Sequence, residues 1–104
     1  LSEEAAAYLR AALALAPEQA EACGDYGNAL YMLGKPDSAV AEWRTALRLS
    51  PTLVMAHRNL GQVLAVRGER AEAIVHLREA VRLEPGDTVA AGSLRALGAE
   101  AVPR

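Results

Sequence analysis

Pro17, Pro51 and Pro85 stand at a constant interval of 34 residues, and other landmarks of the 104-residue chain keep the same step. Ala5, Ala39 and Ala73 form one series, Ala12, Ala46 and Ala80 a second, Leu15, Leu49 and Leu83 a third, while Gly27 pairs with Gly61 and Gly34 with Gly68. A unit of this length is too small to bury a core alone, so successive units must stack and share one. A stack of that kind offers surfaces rather than a deep cavity, and function is to be sought on its faces.

Between the prolines, apolar residues recur at three- and four-residue steps, the spacing of an amphipathic helix. Over residues 20–33 the predicted inward set is Ala22, Cys23, Tyr26, Ala29, Leu30 and Leu33, and Gly34 can turn left-handed and stop the helix. Pro36 opens a second helix, residues 36–49, with Ala39, Val40, Trp43, Ala46 and Leu47 inward; it ends at Ser50-Pro51 because proline disfavours helix in the residue before it. The next copy predicts helices over 53–67, with Ala56, Leu60, Val63 and Leu64 inward, and over 70–83, separated by Gly68. One helix before Pro17, residues 2–15, and one after Pro85, residues 88–99, bring the expected total to six. No strand pattern competes.

Eleven basic residues against thirteen acidic ones leave a net charge of −2, with no clustered positive excess of the kind nucleic acid requires. No apolar run approaches the roughly 20 residues that cross a bilayer, and the start carries no basic flank with a long apolar stretch. These features predict neither nucleic-acid binding nor membrane insertion, with the cytoplasm as the default compartment. Cys23 is the only cysteine, so no internal disulfide can form. Leu1 in first place points to a processed chain or an excerpt of a longer one.

The 34-residue helix-turn-helix unit resembles the tetratricopeptide repeat. The family's first-helix pattern appears as Cys23, Tyr26-Gly27, Leu30 and again as His57, Leu60-Gly61, Leu64; its second-helix pattern appears as Ala39, Trp43, Ala46, Pro51, as Ala73, Leu77, Ala80, Pro85, and in a partial copy as Ala5, Leu9, Ala12, Pro17. The resemblance implies an all-α solenoid of antiparallel helix pairs, wound as a right-handed superhelix. Residues 1–19 would be the second half of a repeat, 20–53 and 54–87 complete repeats, and 88–104 a terminal capping helix and tail. It further implies that glycine and alanine sit where paired helices approach most closely. In the last helix Ala91 and Arg95 replace the large residue and the glycine, which fits a cap.

In such arrays the first helices of successive units line a concave groove that holds an extended peptide or a partner helix. The stripes left over by the expected core are Glu21, Gly24, Asp25, Asn28, Tyr31 and Met32, then Met55, Arg58, Asn59, Gln62, Ala65 and Val66, then Val89, Gly92, Ser93 and Ala96. From them the candidate peptide-binding residues are Asp25, Asn28, Tyr31, Met55, Arg58, Asn59, Gln62 and Ser93. Asn and Gln amides both donate and accept, which suits a peptide backbone whatever its side chains. Asn28 and Asn59 fall where chaperone-binding members of the family have the asparagines of their carboxylate clamp. The cations of that clamp are missing, since Gly24, Val89 and Ser93 occupy their places, so an acidic C-terminal tail would lack its charge-assisted bonds.

On the opposite face, Arg44, Arg48, Arg78 and Arg82 align in the two complete units, but Glu42, Glu72 and Glu79 interleave with them, and cations near a helix end complement its dipole. No nucleophile, base and metal set converges in the pattern, and His57 and His76 lie on different helices without a further ligand at metal spacing. The chain therefore reads as a non-catalytic protein-interaction module without a cofactor, acting as adaptor or scaffold. The alternatives are self-association, through the open first helix and the apolar segment Val89, Leu94, Leu97 and Val102, or a regulatory array of a larger enzyme such as a glycosyltransferase.

Overall fold

The structure, a computed structural model, describes residues 3–100, and of residues 5–16 the backbone alone. Five helices follow one another: α1 (Glu3–Met32), α2 (Pro36–Leu49), α3 (Val54–Val66), α4 (Arg70–Leu83) and α5 (Thr88–Ala96), with no strand among the described residues. α1 packs mainly on α2 and α3 on α4, each pair joined by a tight turn; α2 then lies against α3, and α4 against α5.

The turns inside the pairs share one hydrogen-bond pattern. Gly34 has φ 77°, its N–H donates to Tyr31 O, and Lys35 N–H reaches back to Leu30 O at 2.9 Å. Gly68 with φ 81° and Glu69 repeat the pattern on Ala65 and Leu64, and Gly98 with φ 72° and Ala99 repeat it on Arg95 and Leu94. This is the Schellman stop, which satisfies carbonyls that the helix end leaves open and needs a left-handed residue to do so. At Gly98 it ends α5 at Ala96, three residues before the expected end at residue 99. Between the pairs, Pro51 and Pro85 fall in turns, as the period predicts.

Pro17 does not follow them. α1 runs through it as one 30-residue helix, so the expected six helices are five. The reason is local: Ser50-Pro51-Thr52 and Pro85-Gly86-Asp87 are surrounded by turn formers, whereas Ala16-Pro17-Glu18-Gln19-Ala20 sits among strong helix formers.

The core follows from these pairings. Trp43, Leu60, Leu64, Leu77 and Leu94 are its largest fully buried side chains, with Ala39, Ala46, Ala56, Ala73 and Ala80 where backbones come closest. The face of α1 that is buried differs from the expected one. Leu30 is buried and Cys23 partly so, but Ala22, Tyr26, Ala29 and Leu33 are exposed, Tyr26 by 56% and Leu33 by 71%. Their equivalents one period on, Ala56, Leu60 and Val63, are covered. The difference has a simple cause: α2 lies across α3, while the segment that would lie across α1 continues straight past Pro17.

Candidate functional site

The glycines of α1 determine what its neighbours can reach. A Cβ at Gly27 would lie 2.6 Å from Trp43 Nε1, and one at Gly61 would lie 2.6 Å from Leu77 Cγ, so in both pairs a bulky side chain of the second helix fills the place of a missing one on the first. The Trp43 indole thereby crosses α1, and its N–H donates to Gly24 O at 3.2 Å and to Asn28 Oδ1 at 3.1 Å.

That bond orients a small amide array. An indole N–H can only donate, so the Asn28 atom facing it is the oxygen; the Asn59 atom 2.7 Å from that oxygen is in turn the amide nitrogen. Asn28 Nδ2 and Asn59 Oδ1 have no partner among the described residues, and no buried side-chain polar atom there is left unsatisfied, so these two groups reach solvent. Asn28 and Asn59 line a cleft of about 410 Å³ between α1 and α3, together with Tyr31, Met32, Gln62, Val63 and Val66. Tyr31 stands 6.1 Å from the Trp43 ring.

Of the residues singled out from the sequence, Asn28, Tyr31, Asn59 and Gln62 line this cleft, and Asp25 lies exposed on α1 beyond it. Gln62 Nε2 and Ser93 Oγ approach to 3.5 Å, linking α3 to α5. Gly24, placed on the open stripe by the sequence, is buried, and Met55 rests on it: a Cβ there would meet Met55 Cε at 2.5 Å. Met55 thus closes the α1–α3 seam. Arg58 points to the far end of the face, where Nη1 holds Asp87 Oδ2 at 2.9 Å; Asp87 also caps α5 by accepting from Ala90 N–H at 3.0 Å. Burial works against the Asp87 charge, yet the Ala90 amide and the Arg58 guanidinium outweigh it and hold the carboxyl below its usual range.

Trp43, Met32, Val63 and Val66 complete the cleft. Periodicity assigns Trp43 and Val63 to the core, and both are buried there, but each also shows one edge to the cleft. A legible signal existed for Met32 and Val66: they occupy equivalent places, 34 residues apart, just before the helix stops.

On the opposite face the arginines are engaged within the chain. Arg44 grips Glu72 through two bonds of 2.5 and 3.2 Å, Arg82 binds Glu79, Arg78 donates to Glu100 O at 2.9 Å, and Arg48 donates to Thr45 Oγ1 at 2.8 Å. Beside Arg44, His57 and His76 meet Nδ1 to Nδ1 at 3.1 Å. Pro51 O, 2.7 Å from His57 Nε2, and Glu72 Oε2, 3.2 Å from His76 Nε2, can only accept, so both of those ring nitrogens carry a proton. No group of three or more His, Cys, Asp or Glu suited to a metal occurs among the described residues. Nor is any helix among them long and apolar enough to cross a membrane. Of the closing apolar segment, Leu94 is buried and Leu97 packs inward on α4, Val89 is exposed, and Val102 lies outside the described residues.

Comparison with known families finds a model described as TPR repeat over residues 27–66 and one described as tetratricopeptide repeat over residues 54–87. No curated protein matches the chain.

Proposed function

Because the chain belongs to the tetratricopeptide repeat family over residues 27–87, whose repeats generally mediate protein–protein interaction, we propose that it captures a peptide segment or helix of a partner protein along the concave face of α1, α3 and α5. The observation that carries this reading is the Asn28–Asn59 pair. It presents an unmade donor and an unmade acceptor side by side at a cleft, as a peptide unit requires, while the arginines of the opposite face are engaged with groups of the chain itself.

The test is capture from the source cell with the parent chain, with Asn59→Ala combined with Gln62→Ala, and with Arg44→Glu combined with Arg78→Glu. Asn59 and Gln62 lie outside the buried core, so the first double variant still unfolds cooperatively from a folded state, and it loses partners by about 1 kcal/mol per missing bond. Partners retained by that variant and lost by the arginine variant would move the working surface to the opposite face.

A second reading, self-association, draws on a different observation, the uncovered stripe Ala22, Tyr26 and Ala29 on α1, continued by Leu33 in the turn after it. Its test is solution mass: a species heavier than the 11.0 kDa chain that reverts to monomer on Tyr26→Asp supports it.

A further inference from the structure

The amide pair explains how a backbone is held but not which segment is chosen. The cleft it opens on has no charged side chain in its lining. Its walls are Tyr31 and Met32 on one side and Val63 and Val66 on the other. Met32 and Val66 each leave 84% of their surface in water, and the 34-residue period places them at matching positions of adjacent units, so they flank the opening as an apolar pair. A volume of about 410 Å³ lies at the lower end of ligand-sized clefts, roughly 300–1,000 Å³, and has room for one large side chain together with its own peptide unit. Arg58, the cation of the concave face of α3, is turned to Asp87, and Asp25 stands exposed on α1. A chain-terminal carboxylate would meet the neutral amide donors of Asn28 and Gln62 and no guanidinium. A buried lysine or aspartate of the partner would meet no counter-charge and would lose its hydration.

Resting on the groove reading above, we propose that the partner segment is internal and uncharged, and that it is anchored by one aliphatic or aromatic side chain seated between Met32 and Val66. The peptide unit beside that anchor places its carbonyl on Asn28 Nδ2 and its N–H on Asn59 Oδ1. Specificity then resides in the apolar anchor, and the amide pair sets the register.

The experiment titrates the full chain with short glycine-serine peptides, blocked at both ends, whose central residue is leucine, phenylalanine, aspartate or lysine, and with the leucine peptide bearing a free carboxyl end. Trp43, the single tryptophan, reports by fluorescence, and the side-chain amide resonances of Asn28 and Asn59 report by NMR. The leucine and phenylalanine peptides are expected to bind about 10- to 100-fold tighter than the aspartate and lysine peptides, the free carboxylate to add nothing, and Val66→Glu to remove the preference without changing the melting transition. Equal binding of all centres with shifts at both asparagines would overturn the anchor and leave the groove reading standing, as would a requirement for the free carboxylate. No shift at either asparagine with any peptide would overturn both.

Discussion

Trp43 Nε1 and Asn28 Oδ1, 3.1 Å apart, connect the core of the first helix pair to the cleft between α1 and α3. The indole is 2% exposed, yet it decides which end of a surface amide looks outward. Trp43→Phe keeps most of the buried volume and removes the donor, freeing Asn28 to rotate. The expected outcome is a loss of about 1–2 kcal/mol in denaturant unfolding, with Asn28 and Asn59 side-chain resonances that merge or broaden. Trp43→Ala adds a cavity and should cost about 3–5 kcal/mol.

The helical glycines separate by what surrounds them. Alanine at Gly27 or Gly61 would gain about 1 kcal/mol of helix propensity but drive a methyl into Trp43 or Leu77, and overpacking of about 1–3 kcal/mol wins, the more so at Gly61 where the Ala73 carbonyl lies 3.2 Å from the added carbon. At Gly92 in α5 the nearest neighbour is the end of the Arg95 side chain at 3.7 Å, an ordinary contact. Gly92→Ala is therefore expected to raise the melting temperature while Gly61→Ala lowers it.

Asp87 has two separable roles. Asp87→Asn retains an N-cap acceptor for α5 and loses the ion pair with Arg58, whereas Asp87→Ala loses both and should be less stable by a further 1 kcal/mol or so. Since the folded carboxyl titrates below its unfolded range, its contribution is complete above the unfolded value and is lost as pH falls through the lower, folded one. Unfolding followed from neutral to strongly acidic pH should show this loss in the parent and not in Asp87→Asn.

His76 behaves differently because burial, the largest influence, together with repulsion from His57 and Arg44, disfavours its cation more than Glu72 favours it, which puts its folded value below the ordinary 6.5. Stability linked to it is complete above that ordinary value and declines as pH falls through the folded one. Glu72 Oε2, 3.2 Å from His76 Nε2, can only accept, so that nitrogen donates to it, and because this bond favours the cation the decline is shallow. His76→Gln should flatten the profile below about pH 6.5 in a chemical-denaturation series.

Much of the fold was legible because its signals are local. Gly34 and Gly68 stop helices by a left-handed backbone that little else adopts, and α2 and α4 begin and end at the residues the period predicts. The close approach at Gly27 and Gly61 was legible too, since a missing Cβ opposite a large residue recurs at the same place in both units. Three-and-four spacing puts Asn28 on one face of its helix and Asn59 and Gln62 on one face of the next, and all three line the cleft between α1 and α3.

What the sequence by itself determined is the repeat, its helix pairs, their turns and the residues that pack between them. The tertiary structure decided which face of α1 is covered, that Met55 seals a seam and Arg58 serves Asp87, and which amide groups of Asn28 and Asn59 remain open. Helix stops and turns depend on neighbours a few residues away, which periodicity records. Burial and hydrogen-bond valence depend on groups brought together across 15 residues between Trp43 and Asn28, 29 between Arg58 and Asp87 and 31 between Asn59 and Asn28, and only the packed chain puts those groups within reach of one another.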